Sequence, residues 1–144
     1  MSRHLSLCAS ATVSLCLAVL AGCGEAPTIL VETLQVVNML PAHGANCVAV
    51  EPAQLDAQVT FSDDLDNDTL DGHLFVRPEG GSPLAATIRY EKSDQTAHLL
   101  LADPLEHASR YELVVEAEVV GVSQGKLPAQ VVASFETISA AGCY

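Results

Sequence analysis

The sequence predicts an all-β protein: an antiparallel β-sandwich of about seven strands. Three observations lead there. Apolar and polar residues alternate with a period of two in one stretch after another from about residue 31 onward. Clusters of Gly, Pro, Asn and Asp separate those stretches, and no convincing helical period lies between them. A strand sends successive side chains to opposite faces, so this alternation buries one face and solvates the other. At 144 residues and 49% hydrophobic content, the chain has enough apolar material for one domain with a core of its own.

The first strand falls within residues 29–40 (ILVETLQVVNML). In 54–61 (QLDAQVTF), Leu55, Ala57, Val59 and Phe61 share one parity while Asp56, Gln58 and Thr60 share the other. Shorter runs follow at 73–76 (HLFV), 86–91 (ATIRYE) and 96–102 (TAHLLLA). The sixth strand, 111–120, sets Tyr111, Leu113, Val115, Ala117 and Val119 against Glu112, Val114, Glu116 and Glu118. Its Glu and Ala content would tolerate a helix, but the strict period and the valines favour a strand. The seventh is 129–137 (AQVVASFET).

The residues ahead of the strands read as an export signal. Arg3 and His4 open it, residues 5–20 carry no charge, and the small residues Ala21 and Gly22 precede Cys23. Such an apolar run is too short and wrongly flanked to span a bilayer. Leu20-Ala21-Gly22-Cys23 resembles a bacterial lipobox, in which the cysteine is lipidated and the preceding peptide removed. The alternative is plain cleavage to a soluble secreted protein. On the lipobox reading, residues 1–22 are the signal peptide, 23–30 the lipid anchor and a short tether, and 31–144 the sandwich. The expected location is the cell envelope, lipid-anchored to a membrane. Gly24 stands where an aspartate is associated with inner-membrane retention, which favours the outer membrane if the source is Gram-negative.

Charge narrows the partners. With Arg3 removed, five Lys+Arg face 18 Asp+Glu. Nucleic-acid phosphate and anionic headgroups would both repel such a body, so the expected membrane partner is reached through lipid alone and nucleic acid is excluded. Several acyl chains make such an anchor durable where a single chain holds only marginally. Cys8 and Cys16 leave with the signal and Cys23 is lipidated, which leaves Cys47 and Cys143. An even pair in an oxidising compartment suggests a disulfide, with two free thiols as the alternative.

Several short pieces, in order, carry a family resemblance: PAHG at 41–44, VTFS at 59–62, LDNDTL at 65–70, DPLEHASRY at 103–111 and SFET at 134–137. Together they are similar to the bacterial Ig-like domain of the S-layer type, over roughly residues 34–138. The resemblance implies an Ig-like sandwich serving as a structural or adhesive module on exported proteins. It also implies that the first strand runs beside and parallel to the last. The turn after the first strand, holding Cys47, then falls near the end of the last, just before Cys143. Tyr111 stands where a tyrosine corner would, with an ordinary core tyrosine as the alternative. Unlike antibody-type domains, the chain has no Trp.

Candidate chemistry is sparse. In FSDDLDNDTLDG (61–72), Asp64, Asp66 and Asp68 match the first, third and fifth positions of an EF-hand loop. Thr69 stands where the loop requires glycine, and Phe75 where it requires glutamate. The loop is therefore no EF-hand, although carboxylates crowded over 63–71 offer oxygen ligands for calcium; aspartates bonding their own backbone in turns are the other reading. GVSQG at 121–125 matches a nucleophile elbow, but Lys126, Leu127 and Pro128 lead into another strand, so Ser123 reads as part of a hairpin between strands. His43, His73, His98 and His107 lack a zinc-binding spacing, and His98 lies on the polar parity of its strand. Low aromatic content (4%) argues against a sugar-stacking cleft. The sequence therefore points to a lipid-anchored, non-enzymatic structural or protein-binding module without a cofactor, with an envelope protein as the expected partner. A calcium-binding adhesion or sensing domain is the first alternative and a small hydrolase the second.

Overall fold

The computed structural model describes residues 32–143. The expected signal peptide, the lipidated Cys23 and the tether lie outside these residues. Two four-stranded sheets face each other. One has the order β1-β3-β6-β5, from β1 (Val36–Leu40), β3 (Ala57–Phe61), β6 (Thr96–Leu101) and β5 (Ala86–Glu91). The other has the order β2-β10-β7-β4, from β2 (Ala45–Val48), β10 (Val131–Thr137), β7 (Arg110–Val115) and β4 (Leu74–Pro78). A small hairpin, β8 (Val120–Gly121) with β9 (Gly125–Lys126), stands apart from both. Every pairing is antiparallel except that of β2 with β10. The fold is the expected antiparallel sandwich.

The alternating residues meet where their period sends them. Ala57, Val59 and Phe61 from β3, with Ala97, Leu99 and Leu101 from β6, face Val76 from β4, Leu113 and Val115 from β7, and Ala133 and Phe135 from β10. Val59, Val76, Leu113 and Val115 are fully buried. Each such side chain contributes about 1.5–3 kcal/mol relative to exposure. Tyr111 and Phe135 are directly opposite across β7 and β10, with ring centroids 5.9 Å apart.

The structure departs from the sequence reading in three places. The expected first strand, β1, lies in one sheet and pairs with β3, not with the last strand; the PAHG turn at 41–44 carries the chain across, and β2, where a turn was expected, joins the other sheet parallel to β10. Ala45 N–H donates to Ala42 O at 3.0 Å, and Gly44 N–H to Ser134 O at 2.7 Å, which seats β2 beside β10. Cys47 accordingly lies within β2 and not in a turn. Its φ is 59°, at a bulge where Ala45 and Val48 oppose Phe135 and Thr137. Second, the strand expected over 111–120 stops at Val115, the last residue paired on both sides, with Leu74 and Val131. Residues 116–119 form a turn closed by Val119 N–H to Glu116 O at 3.3 Å. Third, Val114 is fully buried although it shares the parity of the glutamates. It sits on the outward face of the central strand β7, paired with Phe75 and Val132, while Arg77 reaches over the Phe75 ring at 5.9 Å.

The resemblance-based expectations for Cys47, Cys143 and Tyr111 are met in substance. Cys47 and Cys143 form a disulfide with Cα atoms 5.7 Å apart, across a sequence separation of 96. The Tyr111 hydroxyl accepts the Glu106 N–H at 2.9 Å, which is the tyrosine-corner arrangement. Thr137, buried beside it, donates to Glu106 O at 2.6 Å and accepts Ser109 N–H at 3.0 Å.

Strand directions sort the loops into two ends. The entering chain at Glu32, the loop 62–73, the turn 92–95 and the segment 116–130 share one end, and the disulfide closes the other. Closing so long a loop contributes about 4 to 5 kcal/mol in the chain-entropy model. The left-handed backbone at Cys47 costs about 1 to 2 kcal/mol, so the bridge wins. Replacing both Cys47 and Cys143 by serine is expected to destabilise the domain by about 2–4 kcal/mol and lower its Tm by roughly 10 °C. Thermal unfolding followed by circular dichroism checks this. An unchanged Tm would show that the bridge contributes nothing.

Candidate functional site

The end that receives the entering chain holds the acidic loop, and Asp63, Asp64 and Asp66 each bind specific partners there. Asp63 is 9% exposed. Its Oδ2 accepts the N–H of Ser123 at 2.6 Å and of Gln124 at 2.8 Å, both in the turn between β8 and β9. The hairpin thus closes around a carboxylate. The Ser123 N–H lowers the Asp63 pKa from its ordinary value of 3.8; partial burial opposes this, and the Gln124 N–H reinforces it. Gly125 takes φ +72° to close the turn. Gly121 serves a different need: a Cβ there would stand 2.7 Å from Asp63 Oδ2 and 3.1 Å from Leu34 Cδ1. GVSQG is therefore a hairpin motif, as its flanks indicate, with Ser123 in its turn.

Asp64 turns instead toward β5, in the same sheet as β3. Its Oδ1 accepts from the Tyr90 hydroxyl at 3.0 Å and from Leu65 N–H at 3.1 Å, and its Oδ2 is ion-paired with Lys92. Lys92 holds the carboxyl below the usual carboxylate range against partial burial, and Tyr90 assists. Burial, and then the hydrogen bond to Asp64, push the Tyr90 hydroxyl up to about 12. Asp66 caps the 3-10 turn Asn67–Thr69, its Oδ1 accepting Asp68 N–H at 3.3 Å. Thr69 Oγ1 donates to Asp66 O at 2.7 Å and accepts Val120 N–H at 3.1 Å. The loop and hairpin are further joined by Val122 N–H to Asp64 O at 2.7 Å and Asp66 N–H to Val120 O at 3.0 Å. LDNDTL is thus a fold motif whose polar side chains satisfy backbone groups.

The calcium set Asp64, Asp66 and Asp68 fits an ion poorly. Both Asp64 oxygens are engaged, and Asp66 is turned toward its own backbone. Among the described residues the one trio of ligand-bearing side chains with atoms within 4.8 Å of one another lies elsewhere: His73, Glu116 and Glu118. No sequence spacing announced it. His73 and Glu116 are 43 residues apart, and only the pairing of β4 with β7 brings them together.

On the outward face of β3, β6 and β5, a concavity of about 440 Å³ is walled by residues 52–56. Asp56, Arg89, Glu91 and His98 line it, so His98 sits at a charged surface and not in the core. Arg89 Nη2 lies 3.4 Å from Glu91 Oε2. Mixed charges in an open hollow suit contact with a polar surface better than enclosure of a small molecule.

Residues 31–137 match the family model described as a bacterial Ig-like domain. Among solved structures, the S-layer protein rSbsC(31-844) is similar at 17% identity and a TM-score of 0.51, over 74% of this chain and 14% of that one. PcoC, a methionine-rich copper resistance protein from Escherichia coli, is similar at 15% identity and a TM-score of 0.55, over 73% of this chain and 98% of that one. The chain thus spans 14% of the S-layer protein's length, and likeness at these identities concerns the fold. No curated protein matches the chain.

Two outcomes follow from the carboxylate at the hairpin. Gly121→Ala should destabilise the domain by about 1–3 kcal/mol, because Asp63 can yield to the new methyl only by leaving both N–H groups; chemical denaturation measures this. The folded-state pKa of Asp63 lies below its unfolded value, so its contribution is complete above about pH 4 and fades as pH falls from there through the depressed folded value. Asp63→Asn should therefore lower Tm at pH 7, and its deficit against the native chain should shrink below pH 4. A deficit independent of pH would rule out the charge as the cause.

Proposed function

The chain belongs to the bacterial Ig-like domain family, and from that premise we propose that it is a lipid-anchored, exported module of the cell envelope with a structural or protein-binding role and no catalytic activity. The observation that carries the reading is the disulfide between Cys47 and Cys143. Cytosolic thiols are kept reduced, so a structural bridge belongs to an exported chain. The export signal and Leu20-Ala21-Gly22-Cys23 support the same destination from the other terminus.

The arrangement suits a module held close to a bilayer. Eight residues lie between Cys23 and Glu32, a span of roughly 30 Å at most when extended. With acyl chains on Cys23, the end carrying the acidic loop and the hairpin faces the membrane. The disulfide end, with the loops after β2, β4 and β6, faces outward. Its polar, mixed-charge surface fits a protein partner. The nearby carboxylates of 63–71 repel anionic headgroups, so lipid supplies the attachment and charge holds the body off the surface.

A non-enzymatic role is supported by the employment of the hydrolase-like motif. Ser123 lies in a tight hairpin turn with its N–H on a carboxylate, and no helix follows it. Copper resistance is not carried over from PcoC. That protein is methionine-rich, whereas this chain has two methionines, Met1 and the buried Met39.

Cell fractionation tests the anchor. The native chain should sediment with membranes and carry acyl groups on Cys23 by mass spectrometry, while Cys23→Ala should move to the soluble fraction. Unchanged sedimentation of the variant, or an unmodified terminus in the native chain, would end this reading.

A further inference from the structure

We propose that His73, Glu116 and Glu118 form a binding site for one divalent transition-metal ion of the zinc class. His73 and Glu116 lie at the edge of the outward face of the β2-β10-β7-β4 sheet, Glu118 lies in the turn that follows β7, and their ligand atoms lie within 4.8 Å of one another. His73 and Glu116 extend the pairing of β4 with β7 by one step beyond Leu74 and Val115, with Glu116 N–H donating to His73 O at 2.8 Å. Their side chains therefore stand side by side on the same face. The turn at 116–119 then folds Glu118 back toward them.

The spacing is that of adjacent metal ligands. His73 Nδ1 and Glu116 Oε2 are 2.8 Å apart. Two donors each about 2.0–2.1 Å from an ion are roughly 2.9–3.4 Å apart for angles between octahedral and tetrahedral. An ion could thus replace the proton shared by the pair with a shift of a few tenths of an ångström. One flank is dry. Phe75 and Val114, the next outward residues on the two strands, are buried, so that side of the site is walled by hydrocarbon. The cation further along, Arg77, is already paired with Glu112 at 2.7 Å. Glu116 and Glu118 are like charges close together, with His73 as the group that joins them, and a divalent ion relieves their repulsion.

The donor set selects the class of ion. One imidazole nitrogen with two carboxylates suits zinc and its first-row neighbours, whereas calcium and magnesium prefer oxygen throughout. Three protein donors leave at least one position for water or for a side chain of a partner. The site is independent of the acidic loop and of the lipid anchor.

Zinc chloride titrated calorimetrically into the purified, chelator-treated full chain should reveal one site of micromolar affinity. Glu118→Gln, in an exposed turn, and His73→Ala should each weaken it at least about tenfold. His98→Ala should leave it unchanged, and millimolar calcium or magnesium should not compete. A circular dichroism spectrum matching the native chain establishes that each variant is folded. No zinc binding by the native chain, equal binding by Glu118→Gln, or loss with His98→Ala would each overturn the proposal.

Discussion

The two sheets hold together through one apolar layer, contributed from one side by β3 and β6 and from the other by β7, β10 and β4. Its thickness and composition set what every other segment has to do. Val59, Phe61 and Leu99 interlock with Leu113, Val115 and Val76, and this contact requires strands whose alternate residues are apolar without interruption. A handful of such side chains, at about 1.5–3 kcal/mol each, outweighs the entropic contribution of the disulfide. The ends of the layer are closed by loop residues: Val50, Leu55 and Leu105 at one end, and Leu34, Leu70, Val119 and Leu127 at the other. The loops must therefore return to the sandwich at defined points, which makes their own polar groups hard to satisfy.

The acidic segment solves that problem for one end. Residues 62–71 leave β3 and must cross to β4, while 116–127 leave β7 and must double back. Neither has a neighbouring strand of full length. A carboxylate accepts two N–H groups of a tight turn at once, and Asp63 does this for the β8–β9 hairpin. Asp64 links the same loop to Tyr90 and Lys92 at the end of β5, and Asp66 caps the 3-10 turn. Negative charge concentrated here reflects the donors that needed acceptors. The same assignment removes those oxygens from the pool available to a hard cation.

Membership of the bacterial Ig-like family accounts for the sandwich, and the resemblance to it anticipated the corner at Tyr111 and a parallel strand beside the last, which is β2. It leaves the chemistry of the surfaces to this chain. Two are distinctive. One is the charged hollow over β3, β6 and β5, and the other is the outward face of β4 and β7, where a buried Phe75–Val114 pair lies beside His73 and Glu116. A module of this kind works through such faces, because its interior is fully used in holding the sheets together.

The sequence by itself determined the class of fold, every strand except β2 and the two-residue β8 and β9, the hairpin reading of GVSQG and the candidate status of Cys47 and Cys143. Those features depend on local patterns: a period of two, turn residues and a cysteine count. Only the tertiary structure decided that the chain changes sheets at PAHG to form β2, that β7 ends at Val115, that Val114 is buried among neighbours of the same outward face, and that His73 meets Glu116. In each case the outcome depends on which strand lies alongside. That is a property of register between segments tens of residues apart, and no window along the chain contains both partners.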